Sequence, residues 1–249
     1  MDKRLVFDTI PERFDRYRIR YSKELFDYIV KVCSLTSDKR CLEIGPGTGQ
    51  ATDFALETGC EYTAIELGEA LSAKMREKYG KYPNFTLING DFEKYSFDPG
   101  SFDMVYSAAA IQWIDQDIAY RKCFDILKSG GYLVMFYLYG DYKTSCPELF
   151  DKIQEVYDRY FVTDQPYTQH FDYTAGNSYG FEYLGEKKFY DHRTYSADDY
   201  IEYIKTHSTH IMIKDEYKER FFGGIHELVE RYGSISYDDT YILHICRKP

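Results

Sequence analysis

Nowhere in this chain of 249 residues do apolar side chains run far enough to cross a bilayer. The longest such run, residues 132–139, is eight long, against the roughly 20 that a membrane helix needs. Charge crowds the opening stretch instead (Asp2, Lys3, Arg4, Asp8, Glu12, Arg13), so no secretory leader is expected and the expected compartment is the cytoplasm. Closely spaced cysteines are missing too. Cys33, Cys41, Cys60, Cys123, Cys146 and Cys246 never stand two to four residues apart, the spacing of zinc knuckles and redox pairs. Reduced packing thiols and no metal are the expectation. A basic cluster is the third absence. Lys and Arg number 31 against 41 Asp and Glu, a net charge of −10. The deficit holds on both sides of Gly140, with 18 basic against 21 acidic residues up to it and 13 against 20 beyond. Such a surface repels phosphates, so neither nucleic acid nor an anionic membrane is an expected partner.

What the chain has in quantity is aromatic. Tyr (27) and Phe (17), with a single Trp, make aromatics 18% of the residues. Tyr joins an apolar body to a polar tip and suits both core and pocket walls. Hydrophobic residues at 44% and charged ones at 29% are globular proportions. A chain of this length buries about 70–75% of its unfolded surface and needs no staple. All six histidines (His170, His192, His207, His210, His226, His244) fall after Gly140, which suggests different tasks for the two stretches.

Periodicity gives the architecture. Leu25, Phe26, Ile29, Val30, Val32 and Cys33 recur at helical spacing across residues 22–35. A short strand at 41–44 runs into a glycine-rich turn, followed by a helix at 50–57 stopped near Gly59. Strand 62–65, helix 69–79, strand 85–88, strand 102–107, helix 118–127 and strand 132–138 follow, with Gly130 and Gly131 ending the last helix. The last strand is continuously apolar, as befits burial on both faces. This rhythm predicts a doubly wound, parallel α/β sheet. Beyond Tyr139 it breaks: helix 148–161, an aperiodic aromatic stretch at 163–180, a strand at 185–192, a helix from Ser196 to about Thr206, a helix at 214–232 and a closing strand at 240–246. The expectation is one domain over 1–249, with a helical lead-in at 1–35 and a cap inserted at about 141–232. The association state is expected to be monomer or homodimer.

The chemistry sits where the first strand meets the first helix, in Glu43-Ile44-Gly45-Pro46-Gly47-Thr48-Gly49. Glycines there let the chain turn sharply and let a ligand touch the main chain, beside free amides of a helix start. A dinucleotide fingerprint needs a small residue where this chain has Gln50. Glu43, two residues before the first glycine, suits a ligand carrying an ammonium group. Glu66 follows the second strand, where a carboxylate can accept bonds from two ribose hydroxyls. Asp91 and Phe92 follow the third, placed to meet an adenine amino group and ring.

Together these residues resemble the class I S-adenosylmethionine-dependent methyltransferases, from about Leu42 to Phe136. The resemblance implies a Rossmann-like, mostly parallel seven-stranded sheet with one antiparallel strand, at 240–246, and a helical cap. It implies S-adenosylmethionine as cofactor and S-adenosylhomocysteine as product. Gly45, Gly47, Thr48 and Gly49 would underlie the methionine part, with Glu43 near its amino group. Glu66 and Leu67 would meet the ribose, Asp91 and Phe92 the adenine, and Ser107 and Ala108 would pass along the cofactor. The run Ser107-Ala-Ala-Ala-Ile-Gln112-Trp113 is similar to the small-molecule branch that includes trans-aconitate methyltransferases, as is the lead-in Arg16-Tyr17-Arg18-Ile19-Arg20-Tyr21.

The implied reaction is methyl transfer to a small-molecule acceptor, at a carboxylate or hydroxyl oxygen. Arg18, Gln112, Trp113, His207 and His210 are the expected acceptor contacts, the two histidines as candidate bases, with Arg18 paired either with an acidic acceptor or with the cofactor's own carboxylate. Residues 1–22 together with about 141–232 are expected to cover the acceptor pocket. An NAD-dependent oxidoreductase or a catalytically silent cofactor-binding regulator are the alternatives.

Overall fold

The structure, a computed structural model, describes residues 2–163 and 170–249. Seven strands form one sheet: β1 (Arg40–Ile44), β2 (Glu61–Glu66), β3 (Phe85–Asn89), β4 (Phe102–Ala108), β5 (Leu127–Asp141), β6 (Glu182–Tyr195) and β7 (Ile235–Arg247). Their order is β3-β2-β1-β4-β5-β7-β6. The first five run parallel, and β7 lies antiparallel to both β5 and β6. This is the Rossmann-like methyltransferase fold that the rhythm and the resemblance predict, with β7 as its reversed strand.

Nine helices accompany the sheet among the described residues: α1 (Pro11–Tyr17), α2 (Lys23–Cys33), α3 (Asp53–Leu56), α4 (Glu69–Tyr79), α5 (Gln116–Ile126), α6 (Pro147–Tyr160), α7 (Ala197–Ile204), α8 (Ser208–Ile211) and α9 (Asp215–Tyr232), with shorter 3₁₀ turns. None of them is long and apolar enough to cross a membrane. Side chains alternate across the strands and so feed two cores. Met104 and Tyr106 of β4 pack with Leu25 and Ile29 of α2. Val105 packs on the opposite face with Ala119 and Cys123 of α5.

Three local expectations need correction. The helix foreseen at 50–57 is only the four residues of α3, because Gly49 takes φ +91° and the turn continues past it. The helix foreseen at 118–127 ends at Ile126, and β5 starts at Leu127 rather than Tyr132. The strand's register shifts where it first meets β4. Finally, the stretch 141–232 is not wholly a cap, since β6, the edge strand of the main sheet, lies inside it. An edge strand faces water, so its polar, mostly exposed sequence carries little of the apolar signal that marks an inner strand. The helices of that stretch do share a core of their own, around Leu149, Ile153, Tyr200, Ile204, Phe221 and Ile225. Residues 164–169 of the expected cap lie outside the described residues.

Strand order reverses between β1 and β4, whose neighbours lie on opposite sides. Open α/β sheets bind ligands beyond the carboxyl ends of their strands at such a switch point. The amino-terminal strap, a 3₁₀ turn at Lys3–Thr9 followed by α1, crosses that end. Asp2 accepts from the Arg4 amide to start the turn, and Pro11 opens α1.

Candidate functional site

A cavity open to solvent lies at the switch point, where open α/β sheets take their ligands. Gly45 and Gly47 form its floor. A Cβ on Gly47, at φ +62°, would stand 2.9 Å from the Phe14 ring, and one on Gly45 would stand 2.6 Å from the Ala110 methyl. The loop is thus pinched between the strap and the chain after β4, and side chains there would fill the floor. Gly49 and Thr48 do not reach the cavity. A Cβ on Gly49 would stand 2.5 Å from Tyr79, so that glycine serves the packing of the loop on α4. Thr48 is buried, its amide donating to the Gln50 side-chain oxygen at 3.2 Å.

Glu66, closing β2, lies on the cavity wall and is 6% exposed. Its oxygens accept the Gly47 amide at 3.0 Å and the Gly68 amide at 2.8 Å. Burial pushes its carboxyl up to about 7, more than the two amide bonds pull it down, with nearby Asp8 and Glu43 adding to the rise. Leu67 lines the wall beside it. Next to Gly68, Asp8 of the strap accepts the Leu71 amide at 2.9 Å. Gly68 caps α4 without a side chain of its own, and Asp8 supplies the missing acceptor from across the site.

Asp91 and Phe92 also line the cavity, but Asp91 is already engaged. Arg4 donates to both its oxygens, at 3.2 and 3.0 Å, and the Glu93 amide adds a bond at 3.0 Å. Burial raises its pKa, yet the Arg4 bonds and charge outweigh this and hold the carboxyl below its ordinary value. A carboxylate accepts about four bonds, and Lys94, its Nζ 3.5 Å from Oδ2, stands at the fourth place.

Several expected contacts are elsewhere. Glu43 is 1% exposed and turned away from the cavity. Its Oε2 accepts from Thr52 at 2.7 Å, from Tyr106 at 2.8 Å and from Tyr62, and Oε1 has no hydrogen-bond partner. Burial drives its pKa up against these three hydroxyls. The reason is strand alternation: with its neighbours Leu42 and Ile44 on the α5 face, Glu43 points to the other. Ser107 lies behind the wall, its hydroxyl donating to the Ile44 carbonyl at 2.9 Å, while Ala108 is on the wall. Gln112 supports rather than lines: its amide donates to the Ala109 carbonyl at 2.9 Å and accepts from Tyr173 at 3.2 Å. Ala109 needs that support, for it holds φ +52°, a region costly to any residue with a Cβ.

Arg18 and Trp113 both reach the cavity, Trp113 edge-to-face with Phe7 at 5.7 Å. His210 does not. It sits in the helical core, 2.7 Å from the Tyr157 hydroxyl, and burial takes its pKa down to about 3. His207 packs against Tyr203 and His210, with ring centroids 4.7 and 5.2 Å away. Burial and the Arg18 charge keep it well below the ordinary histidine value. No described residue of 141–232 lines the cavity, so the expectation that this stretch covers it is not met. The strap, within the residues 1–22 that were expected to share in covering it, lines it through Arg4, Phe7 and Phe14, none of which the sequence reading named as contacts. Their signal was the seven-residue step from Phe7 to Phe14 within a charged segment, which presents one aromatic face.

The arrangement offers an acid for vicinal hydroxyls, aromatic faces for a cation, and a glycine floor for a closely seated chain. Gln50 spends its side-chain amide on Thr48 at 2.7 Å and on the Phe14 carbonyl at 3.3 Å, bracing the floor to the strap. Among the described residues no cluster of His, Cys, Asp and Glu could hold a metal ion.

Over residues 42–135 the chain matches the family described as Methyltransferase domain, so the resemblance to class I S-adenosylmethionine-dependent methyltransferases holds along the stretch that builds the cavity wall. The chain is similar to ribosomal RNA small subunit methyltransferase A of Hahella chejuensis (strain KCTC 2396), 36% identical over 77 residues, which is 31% of this chain and 28% of that one. It is also similar to malonyl-acyl-carrier-protein O-methyltransferase of Marinomonas sp. (strain MWYL1), 26% identical over 132 residues, 51% of this chain and 48% of that one. It therefore spans less than half the length of either relative. A solved structure from Anaeromyxobacter dehalogenans, assigned as a type II methyltransferase, superposes with a TM-score of 0.70 at 17% identity, covering 93% of this chain and 98% of that one. At that identity the likeness establishes the fold.

Proposed function

We propose that the cavity binds S-adenosylmethionine and that the protein moves its methyl group to a small-molecule acceptor. The observation that carries this reading is Glu66, a nearly buried carboxylate on the wall beyond β2, aligned by two main-chain amides beside a floor that only glycine leaves open. The match over residues 42–135 supports it. Bound there, the cofactor supplies a methyl group already activated for displacement.

The chain's own residues then have to bind and align. Glu66 accepts the ribose hydroxyls, and Phe92, beside Asp91, meets the adenine. Gly45 and Gly47 carry the methionine part. Phe14 and Trp113 present aromatic faces, each worth about 0.5–2 kcal/mol to a cation. Alignment is the larger contribution, up to roughly 7–11 kcal/mol of the barrier. Ala108, Ala109 and Ala110 keep the wall thin where the acceptor must approach. The structure gives no reason to assign a general base, since His210 is committed to Tyr157. The similarity to an O-methyltransferase of malonyl-acyl-carrier protein and the net charge of −10 favour a small acceptor over RNA.

Titration calorimetry tests the reading. Saturable binding of S-adenosylmethionine and S-adenosylhomocysteine, and none of NAD, is expected. Glu66→Ala should weaken S-adenosylhomocysteine by roughly 1.5–3 kcal/mol, the range for bonds to a charged group. Binding of NAD alone would overturn the cofactor assignment, and methyl transfer to an RNA in place of small molecules would overturn the acceptor class.

A further inference from the structure

Among the described residues two cations line the cavity, Arg4 and Arg18. Arg4 is spent on Asp91 and Glu93. Arg18 is not spent: among the described residues no carboxylate lies within ion-pair distance of it. It caps α1 in an extended conformation, and its guanidinium stands over the Phe14 ring at 5.7 Å. Its charge is felt by Tyr21, also on the cavity wall, and by His207 at the start of α8. The cavity wall also carries apolar side chains: Phe14, Ile19, Trp113 and the alanines after β4. The glycine loop has other cations on its far side, with Lys78 donating to the Thr48 carbonyl at 2.6 Å and Arg20 to that of Gly49 at 3.5 Å.

A half-buried guanidinium on the cavity wall, among aromatic rings and with no described carboxylate beside it, is placed to receive an anion. Its planar fork matches a carboxylate through two parallel bonds. We infer that Arg18 is the anchor for an anionic acceptor, an organic acid with an apolar body, whose carboxylate it holds while the apolar part lies along the alanine wall. This inference rests on the reading of the cavity as a methyltransferase site. The competing source of a carboxylate is the methionine part of the cofactor, and the two are separable.

The test uses the intact protein, Arg18→Gln and Arg18→Lys, each checked for an unchanged melting temperature. Calorimetry first compares S-adenosylhomocysteine with methylthioadenosine, which lacks the amino-acid end. The protein saturated with S-adenosylhomocysteine is then titrated with straight-chain acids from butanoate to decanoate and with their primary amides. The expected result is tighter binding of acids than of amides by wild type, lost by roughly tenfold or more in Arg18→Gln and partly kept in Arg18→Lys. S-adenosylhomocysteine affinity should stay within about twofold throughout. If Arg18→Gln instead weakens S-adenosylhomocysteine but leaves methylthioadenosine unchanged, Arg18 holds the cofactor's own carboxylate and the inference is overturned. Wild type that binds S-adenosylhomocysteine but does not favour acids over amides fails this inference alone. Wild type that binds no S-adenosylhomocysteine fails the broader reading, and this one with it.

Discussion

From β1 to β4 the strands are five to seven residues long, parallel, and each ends at the cavity; β6 and β7 are 14 and 13 residues long, antiparallel, and contribute nothing to its described walls. The contrast follows from connection geometry. Parallel neighbours need a crossover, so every strand delivers a loop to the same edge, and those loops are free to meet a ligand. Antiparallel strands fold back on one another and extend the sheet. Arg193 of β6 forks onto Asp239 of β7, which is fully buried, among the rings of Tyr195, Tyr203 and Tyr237. In the parallel half Glu66 of β2 faces the ligand site while Glu43 of β1 is satisfied within the fold, and in the antiparallel half Asp239 is satisfied by Arg193.

That comparison breaks or sharpens under substitution. Asp239→Asn should have the largest effect, because it leaves Arg193 charged and largely enclosed without its partner. Loss of one member of such a pair costs about 3–5 kcal/mol, read as a lower denaturation midpoint, while the folded protein should bind S-adenosylhomocysteine with unchanged affinity. A matching loss of affinity would mean that the halves are not separate in function.

Glu66 should show the opposite signature. Its carboxyl is raised from 4.5 to about 7 by burial, so the neutral form is the one the ligand-free fold prefers. Its contribution to stability is complete below about pH 4.5 and is lost as pH rises through about 7. The shift corresponds to about 3 kcal/mol at most. Glu66→Gln should therefore lose less stability than wild type between pH 5 and 8. Parallel stability curves for the two proteins would show that Glu66 is ionised in the fold at no cost.

Much of this division was legible in the residues. The order of elements up to β5 followed from apolar periodicity and glycine stops, and α4 begins and ends at the residues expected. Glu66, Asp91, Gly45 and Gly47 were singled out because loops after parallel strands are where such groups become useful. Three things were not legible, each for a physical reason. Side-chain direction at Glu43 depends on which strand face meets which helix layer, which spacing alone does not fix. Residues 1–22 were expected over the pocket, but what holds them there depends on long-range pairs such as Arg4 with Asp91 and Asp8 with the Leu71 amide, which leave only a charge-rich segment in the sequence. β6 looked like part of a cap because an exposed edge strand carries few apolar residues.

The central claim is that the parallel half and the strap alone enclose the cofactor. Hydrogen exchange with and without S-adenosylhomocysteine tests it most directly. The account predicts slowed exchange at residues 2–21 and at the strand ends 44–50, 65–71, 90–92 and 108–114, with β6 and β7 unchanged. Slowing across 182–195 and 235–247, or none at all in residues 2–21, would contradict it.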